Sequence, residues 1–153
     1  MTATYTANRE LSNRVRRLVD YDIDGALNVV DLGQPQGAGN KCLPIALFRR
    51  FVAGLFRSVG TGSVTAFSII AATAADGTGA TIVATHALGS APDAVGDTIW
   101  LEANVEQVRE VLAGATHVGV QVDLVTAGDE CVVYFEQADP LYVSPDLTAD
   151  FIS

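Results

Sequence analysis

Apolar residues recur at every second position in two late stretches, Val118, Val120, Val122 and Leu124, then Cys131, Val133 and Phe135. Successive side chains of an extended strand point to opposite faces, so this period marks two strands, each with one buried side. Between them Thr126 to Asp129 supplies turn chemistry, and His117 to Glu136 therefore predicts a β-hairpin. Its second face is also apolar, since Val125, Val132 and Tyr134 accompany the core set. That surplus predicts a second contact surface, either a covering helix or a neighbouring subunit.

Earlier in the chain the pattern is more mixed. Leu11, Val15, Leu18 and Val19 fall at helical spacing with Arg14, Arg16 and Arg17 opposite, which predicts a short helix over Arg9 to Val19 behind a small, polar arm. Ala26 to Leu32 reads as a strand and Gln34 to Lys41 as a loop. Val64 to Ala72 is a β-branched and aromatic run, which predicts a strand pairing back on Arg50 to Val59 across a Gly60 to Ser63 turn. Thr81 to Ala87 and Asp97 to Leu101 are further short strands, the latter with Trp100 as a core residue. Asn104 can cap a helix to Leu112, buried through Val105, Val108, Val111 and Leu112 and stopped by Gly114. Short strands separated by Gly-, Asp- and Pro-bearing turns predict a mainly β domain, an antiparallel β-sandwich or jelly-roll-like fold with one or two short helices and an N-terminal arm. The expected division is an arm or helix over 1–19 and one sandwich over 20–153.

Composition narrows the partners. The 153 residues carry a formal charge of −9, unevenly spread: residues 1–57 hold eight of the nine basic side chains and net +3, residues 58–153 net −12. An acidic body repels phosphate backbones, so no direct nucleic-acid partner is expected. No apolar run reaches the ~18 to 20 residues of a membrane span, and the first ten residues lack a secretory h-region. The expectation is no membrane partner and synthesis in a host cytoplasm.

Candidate chemistry is sparse. Cys42 and Cys131 match no metal or redox spacing and read as buried thiols, with a disulfide left open. Asp20, Asp22, Asp24 and Gly25 echo a calcium loop, but its twelfth position is Asp31 rather than a bidentate glutamate. His86 and His117 flank strand ends with no metal-binding pair. Glu102, Asp123, Glu130 and Glu136 single out no acid–base pair for glycoside hydrolysis. We expect no catalytic residue, metal or cofactor. Trp100, Tyr134 and Tyr142 are the aromatic side chains available as a sugar platform.

The segments ATIVATHALGSAPDAVGDTIWLE (Ala80 to Glu102), VGVQVDLVTAGDECVVYFEQADP (Val118 to Pro140) and DLTADFIS (Asp146 to Ser153) resemble small structural proteins of tailed-phage virions, capsid decoration or cement proteins in particular. The resemblance covers roughly the C-terminal half. It implies a non-enzymatic, commonly trimeric β protein on the outer capsid that binds the major capsid protein and braces contacts between capsomers. On that expectation Arg9, Arg14, Arg16 and Arg17 contact the shell, and Val125, Val132 and Tyr134 contact other subunits of a homotrimer. The rival expectation is a carbohydrate- or receptor-binding sandwich of a tail fibre or baseplate, which calls for an exposed aromatic patch.

Overall fold

A computed structural model describes residues 14–22, 27–33, 39–60, 64–86, 95–124 and 128–141. In chain order the elements are β1 (Val15–Tyr21), β2 (Asn28–Val29), β3 (Leu43–Pro44), β4 (Phe48–Val59), β5 (Val64–Ala72), β6 (Thr81–Thr85), β7 (Thr98–Asn104), helix α1 (Val105–Val111), β8 (His117–Leu124) and β9 (Glu130–Pro140). They form two antiparallel sheets, A in the order β1-β9-β4-β7 and B in the order β2-β8-β5-β6, with β3 also paired to β8.

The ladders reveal how the chain is wound. β1 pairs with β9, β2 with β8, β4 with β7 and β5 with β6, through Val15↔Gln137, Asn28↔Val122, Phe51↔Ala103 and Ile69↔Ala84 among others. All four ladders are nested around one turn, Thr73 to Ala80, so the chain is a single long antiparallel ribbon folded back on itself. Rolling that ribbon brings β4 against β9 and β5 against β8, which closes the two sheets. This is the jelly-roll arrangement of a β-sandwich, as the sequence pattern predicts.

Between the sheets, Phe51, Leu55, Phe67, Ile69, Val120, Val122, Val133 and Phe135 are fully buried. Every one comes from the inward positions of an alternating strand. Cys131 lies in this core, whereas Cys42 packs with Ile70 and Ala72 in a separate small cluster; both thiols are free.

Three expectations about pairing are corrected. β8 and β9 are not a hairpin: β8 belongs to sheet B and β9 to sheet A, so the chain arches from one sheet to the other between them. The same holds for β4 and β5. The alternation is identical in a hairpin and an arch, because it reports which side chains are buried and not which strand accepts the hydrogen bonds. From Val15 onward the anticipated helix over Arg9 to Val19 is strand β1 instead, paired with β9 from Val15 to Tyr21. Eleven residues make a marginal helix, whereas the strand over Val15 to Tyr21 gains a full ladder and buries Val19 and Tyr21.

Helix α1 forms where expected. The Asn104 side chain accepts from the Gln107 backbone N–H while the Gln107 side chain accepts from the Asn104 backbone, a reciprocal capping box. Val105 and Val108 are buried, but Val111 is exposed. The helix runs to Val111 and is capped by Leu112, within one residue of the expected end, the chain turning extended at Leu112 before Gly114 is reached.

Candidate interaction surface

Across sheet A the outward positions line up in rows. Leu18 on β1 stands opposite Tyr134 on β9, Tyr134 opposite Gly54 on β4, and Gly54 opposite Trp100 on β7. One row therefore crosses all four strands. A Cβ on Gly54 would come within 2.7 Å of the Trp100 ring, so the missing side chain is what lets the indole lie across the sheet. Phe56 meets Trp100 edge-on at 5.3 Å between centroids, and Tyr134 flanks it at 5.9 Å. Trp100 is 54% exposed and Leu18 69%, which overturns the expectation that the tryptophan is core. Val132 and Val52, in the neighbouring rows, complete a six-residue apolar surface.

The next row is ionic. Arg14 and Arg16 each place a guanidinium nitrogen 3.0 Å from a Glu136 carboxylate oxygen, and Tyr134 donates its hydroxyl to the same carboxylate. Burial works against ionising Glu136, but the hydrogen bonds from Tyr134 and Arg16 and the charges of Arg14 and Arg16 outweigh it and hold the carboxyl below its ordinary value. Burial and the bond to Glu136 push the Tyr134 hydroxyl up. Arg50 adds looser contacts of 3.7 Å to Glu102 and Asp139. At the opposite end of the same face Asp20, Asp22 and Glu130 border a hollow of about 190 Å³.

The anticipated contact residues thus fall into two places. Arg14 and Arg16 border the apolar rows, and Val132 and Tyr134 lie within them, so arginines and apolar positions assigned to different partners share one surface. Arg17 points the other way, donating to the backbone oxygens of Leu32 and Arg16. Arg9, Val125, Tyr142 and the Asp24–Gly25 part of the calcium-like loop lie outside the described residues. Phe56 and Leu18 were missed as surface residues, and Trp100 was named as an available sugar platform but expected in the core. The signal that could have found them is Gly54, a glycine within the apolar run Phe51 to Phe56, which marks a close approach.

A second concavity, about 310 Å³, opens beside β3 and β8 and is bordered by Arg17, Asn40, Cys42 and His117. It does bring a histidine and a cysteine to one cleft. Burial, however, pushes the Cys42 thiol up to about 12, the opposite of nucleophile activation, and His117 Nδ1 is engaged with the Thr116 hydroxyl at 2.8 Å. Among the described residues no three His, Cys, Asp or Glu side chains are grouped to hold a metal, and no helix is long and apolar enough to cross a membrane.

No protein-family profile matches the chain, and no curated protein matches it. Solved structures to which the chain is similar include the following two. One is a Bacillus endospore appendage protein from a family of disulfide-linked pili, 12% identical, with a TM-score of 0.44 over 82% of this chain and 88% of that chain. The other is the Tobacco streak virus coat protein, 10% identical, with a TM-score of 0.41 over 92% of this chain and 95% of that chain.

Proposed function

We propose that this protein is a non-enzymatic structural component of a phage virion, a decoration or cement protein that binds the outer capsid and braces contacts between capsomers. The observation that carries the reading is the outer face of sheet A. Leu18, Tyr134, Trp100, Phe56, Val52 and Val132 form an apolar surface spanning four strands, bordered by the Arg14–Glu136–Arg16 cluster. Such a surface, apolar at its centre and polar at its rim, has the anatomy of a protein contact. Tryptophan, tyrosine and arginine are also the residues that dominate binding energy when a contact forms. The major capsid protein is the proposed partner, and Arg14 and Arg16 the rim residues that would meet acids on it. Two buried thiols, both pushed up to about 12 by burial, suit a role without nucleophilic chemistry.

A second reading is favoured by Trp100 and Tyr134 themselves, since an exposed indole beside a half-buried phenol can also stack on sugars. It makes the protein a carbohydrate- or receptor-binding module of a tail fibre or baseplate. The two are separated by offering the purified chain to empty capsids built from the major capsid protein of the same genome, and in parallel to a glycan array. Saturable binding to capsids supports decoration; glycan binding without capsid binding supports the rival.

A further inference from the structure

The outward residues of β1, read with the two that flank it, are Arg14, Arg16, Leu18, Asp20 and Asp22. The order is base, base, apolar, acid, acid, so the strand is antisymmetric in charge about Leu18. β1 is also an edge of sheet A, paired among the described residues only with β9. Edge strands present unpaired backbone groups, and charges there ordinarily serve to repel other chains. Charges of one sign would do that. Two signs in mirrored order do the reverse for one partner, a second copy of the same strand running antiparallel.

We propose that two copies of this chain associate through β1, edge to edge, about a two-fold axis passing at Leu18. Antiparallel pairing in that register sets Leu18 against the partner's Leu18, Arg16 against the partner's Asp20, and Arg14 against the partner's Asp22. Each ion pair occurs twice, and opposite charges directly across an antiparallel pair attract. On the inward side Arg17 meets the partner's Val19, and Val15 meets the partner's Tyr21. Leu18, 69% exposed, is the most exposed large apolar side chain among the described residues, and this pairing packs it side by side with the partner's Leu18 on the outer face. Asp20 and Asp22 make no ion pair among the described residues. Arg14 and Arg16 share the single carboxylate of Glu136, which leaves one positive charge over. Joining the edges gives a continuous eight-stranded sheet, in which the Trp100–Gly54–Tyr134–Leu18 row of one copy runs on into that of the other. The contact is independent of any capsid and is measured without one.

Sedimentation of the full chain over a range of concentrations, with two single variants, tests the pairing. Asp20→Arg sets like charges across the axis twice and is expected to weaken the dimer at least about tenfold. Glu110→Arg, the same charge change on exposed helix α1, is expected to leave it unchanged. The comparison is pointed because both variants reduce the net negative charge and would, through overall repulsion alone, favour association. A Leu18→Cys variant treated with a short bis-maleimide should give a covalent dimer, whereas Val111→Cys should not, and the buried Cys42 and Cys131 stay silent. Circular dichroism and melting confirm that each variant is folded. A wild-type chain that stays monomeric up to about 1 mM, a concentration at which even a weak contact is populated, overturns the proposal. So does a dimer or trimer indifferent to Asp20→Arg, or Leu18→Cys that crosslinks no better than Val111→Cys.

Discussion

The Arg57 guanidinium lies 3.6 Å from the Asp129 carboxylate, and neither residue is more than 2% exposed. Arg57 lies near the end of β4, just before the chain crosses from sheet A to sheet B. Asp129 stands where it crosses back, between β8 and β9. One ion pair therefore ties together the two arches that make this a sandwich and not a pair of hairpins. Burying such a pair costs desolvation, and removing one partner takes from the other the counter-charge that offsets its burial. Asp129→Ala should destabilise the fold by about 3–5 kcal/mol in denaturant melts. The apolar double variant Arg57→Met with Asp129→Leu should recover most of the loss. Equal destabilisation by the double variant would assign the effect to packing rather than charge.

Gly60 follows β4 in the same corner with φ of +114°, and a Cβ there would sit 1.8 Å from an Asp129 carboxylate oxygen and 2.9 Å from its Cα. Both conformation and space demand glycine. Gly60→Ala should cost at least about 2 kcal/mol, more than an alanine at Gly114, where nothing stands within 4 Å of the added carbon. Similar losses at the two sites in urea melts would show that the arches are not packed this closely.

The sandwich was legible because inward positions such as Val120, Val133 and Phe135 are chosen by burial, and burial follows the period of the strand. Pairing was not. Val118 to Leu124 and Cys131 to Phe135 read alike whether they bond each other or face each other across a core, and the arch shows only in the ladders that pair β8 with β5 and β9 with β4, with the buried Arg57–Asp129 pair at its corner. A charge pair 72 positions apart carries no mark in sequence saying that it is buried. Trp100 was misplaced for a related reason: its exposure depends on Gly54 of another strand, a relation set by register alone. Arg14 and Arg16 were recognisable as a charged set but not as a strand edge, because helical and extended spacing coincide over so few residues.

Stability should fall at alkaline pH. Burial pushes Cys42, Cys131 and Tyr21 each up to about 12, against ordinary values of 9.0 for the thiols and 10.0 for the phenol. The unfolded chain then loses these protons first. The folded state's advantage is intact below pH 9 and declines as pH rises from 9 toward 12. Melting temperature measured across this window should drop steadily in wild type and less steeply in Cys131→Ala, compared with its own value at pH 8. A flat profile to pH 11 would mean that these groups are solvated.

At the acid end Glu136 has the opposite sign. Its folded-state value is depressed, so its contribution is present above the ordinary carboxyl value of 4.5 and is lost as pH falls through the lower, folded one. Glu136→Gln should therefore flatten the acid limb of the stability profile below that point while changing the alkaline limb little. An unchanged acid limb would show that the contacts with Arg14 and Arg16 contribute nothing.

The outer face of sheet A is the surface on which the functional proposal depends, and Trp100 lies at its centre. The direct measurement is co-sedimentation with empty capsids of the same genome, comparing wild type with Trp100→Ala and with Ile82→Ala, an exposed apolar position on sheet B. Removing a central aromatic anchor should weaken capsid binding at least about tenfold, whereas Ile82→Ala should bind as wild type does. Undiminished binding by a folded Trp100→Ala chain would contradict the proposal.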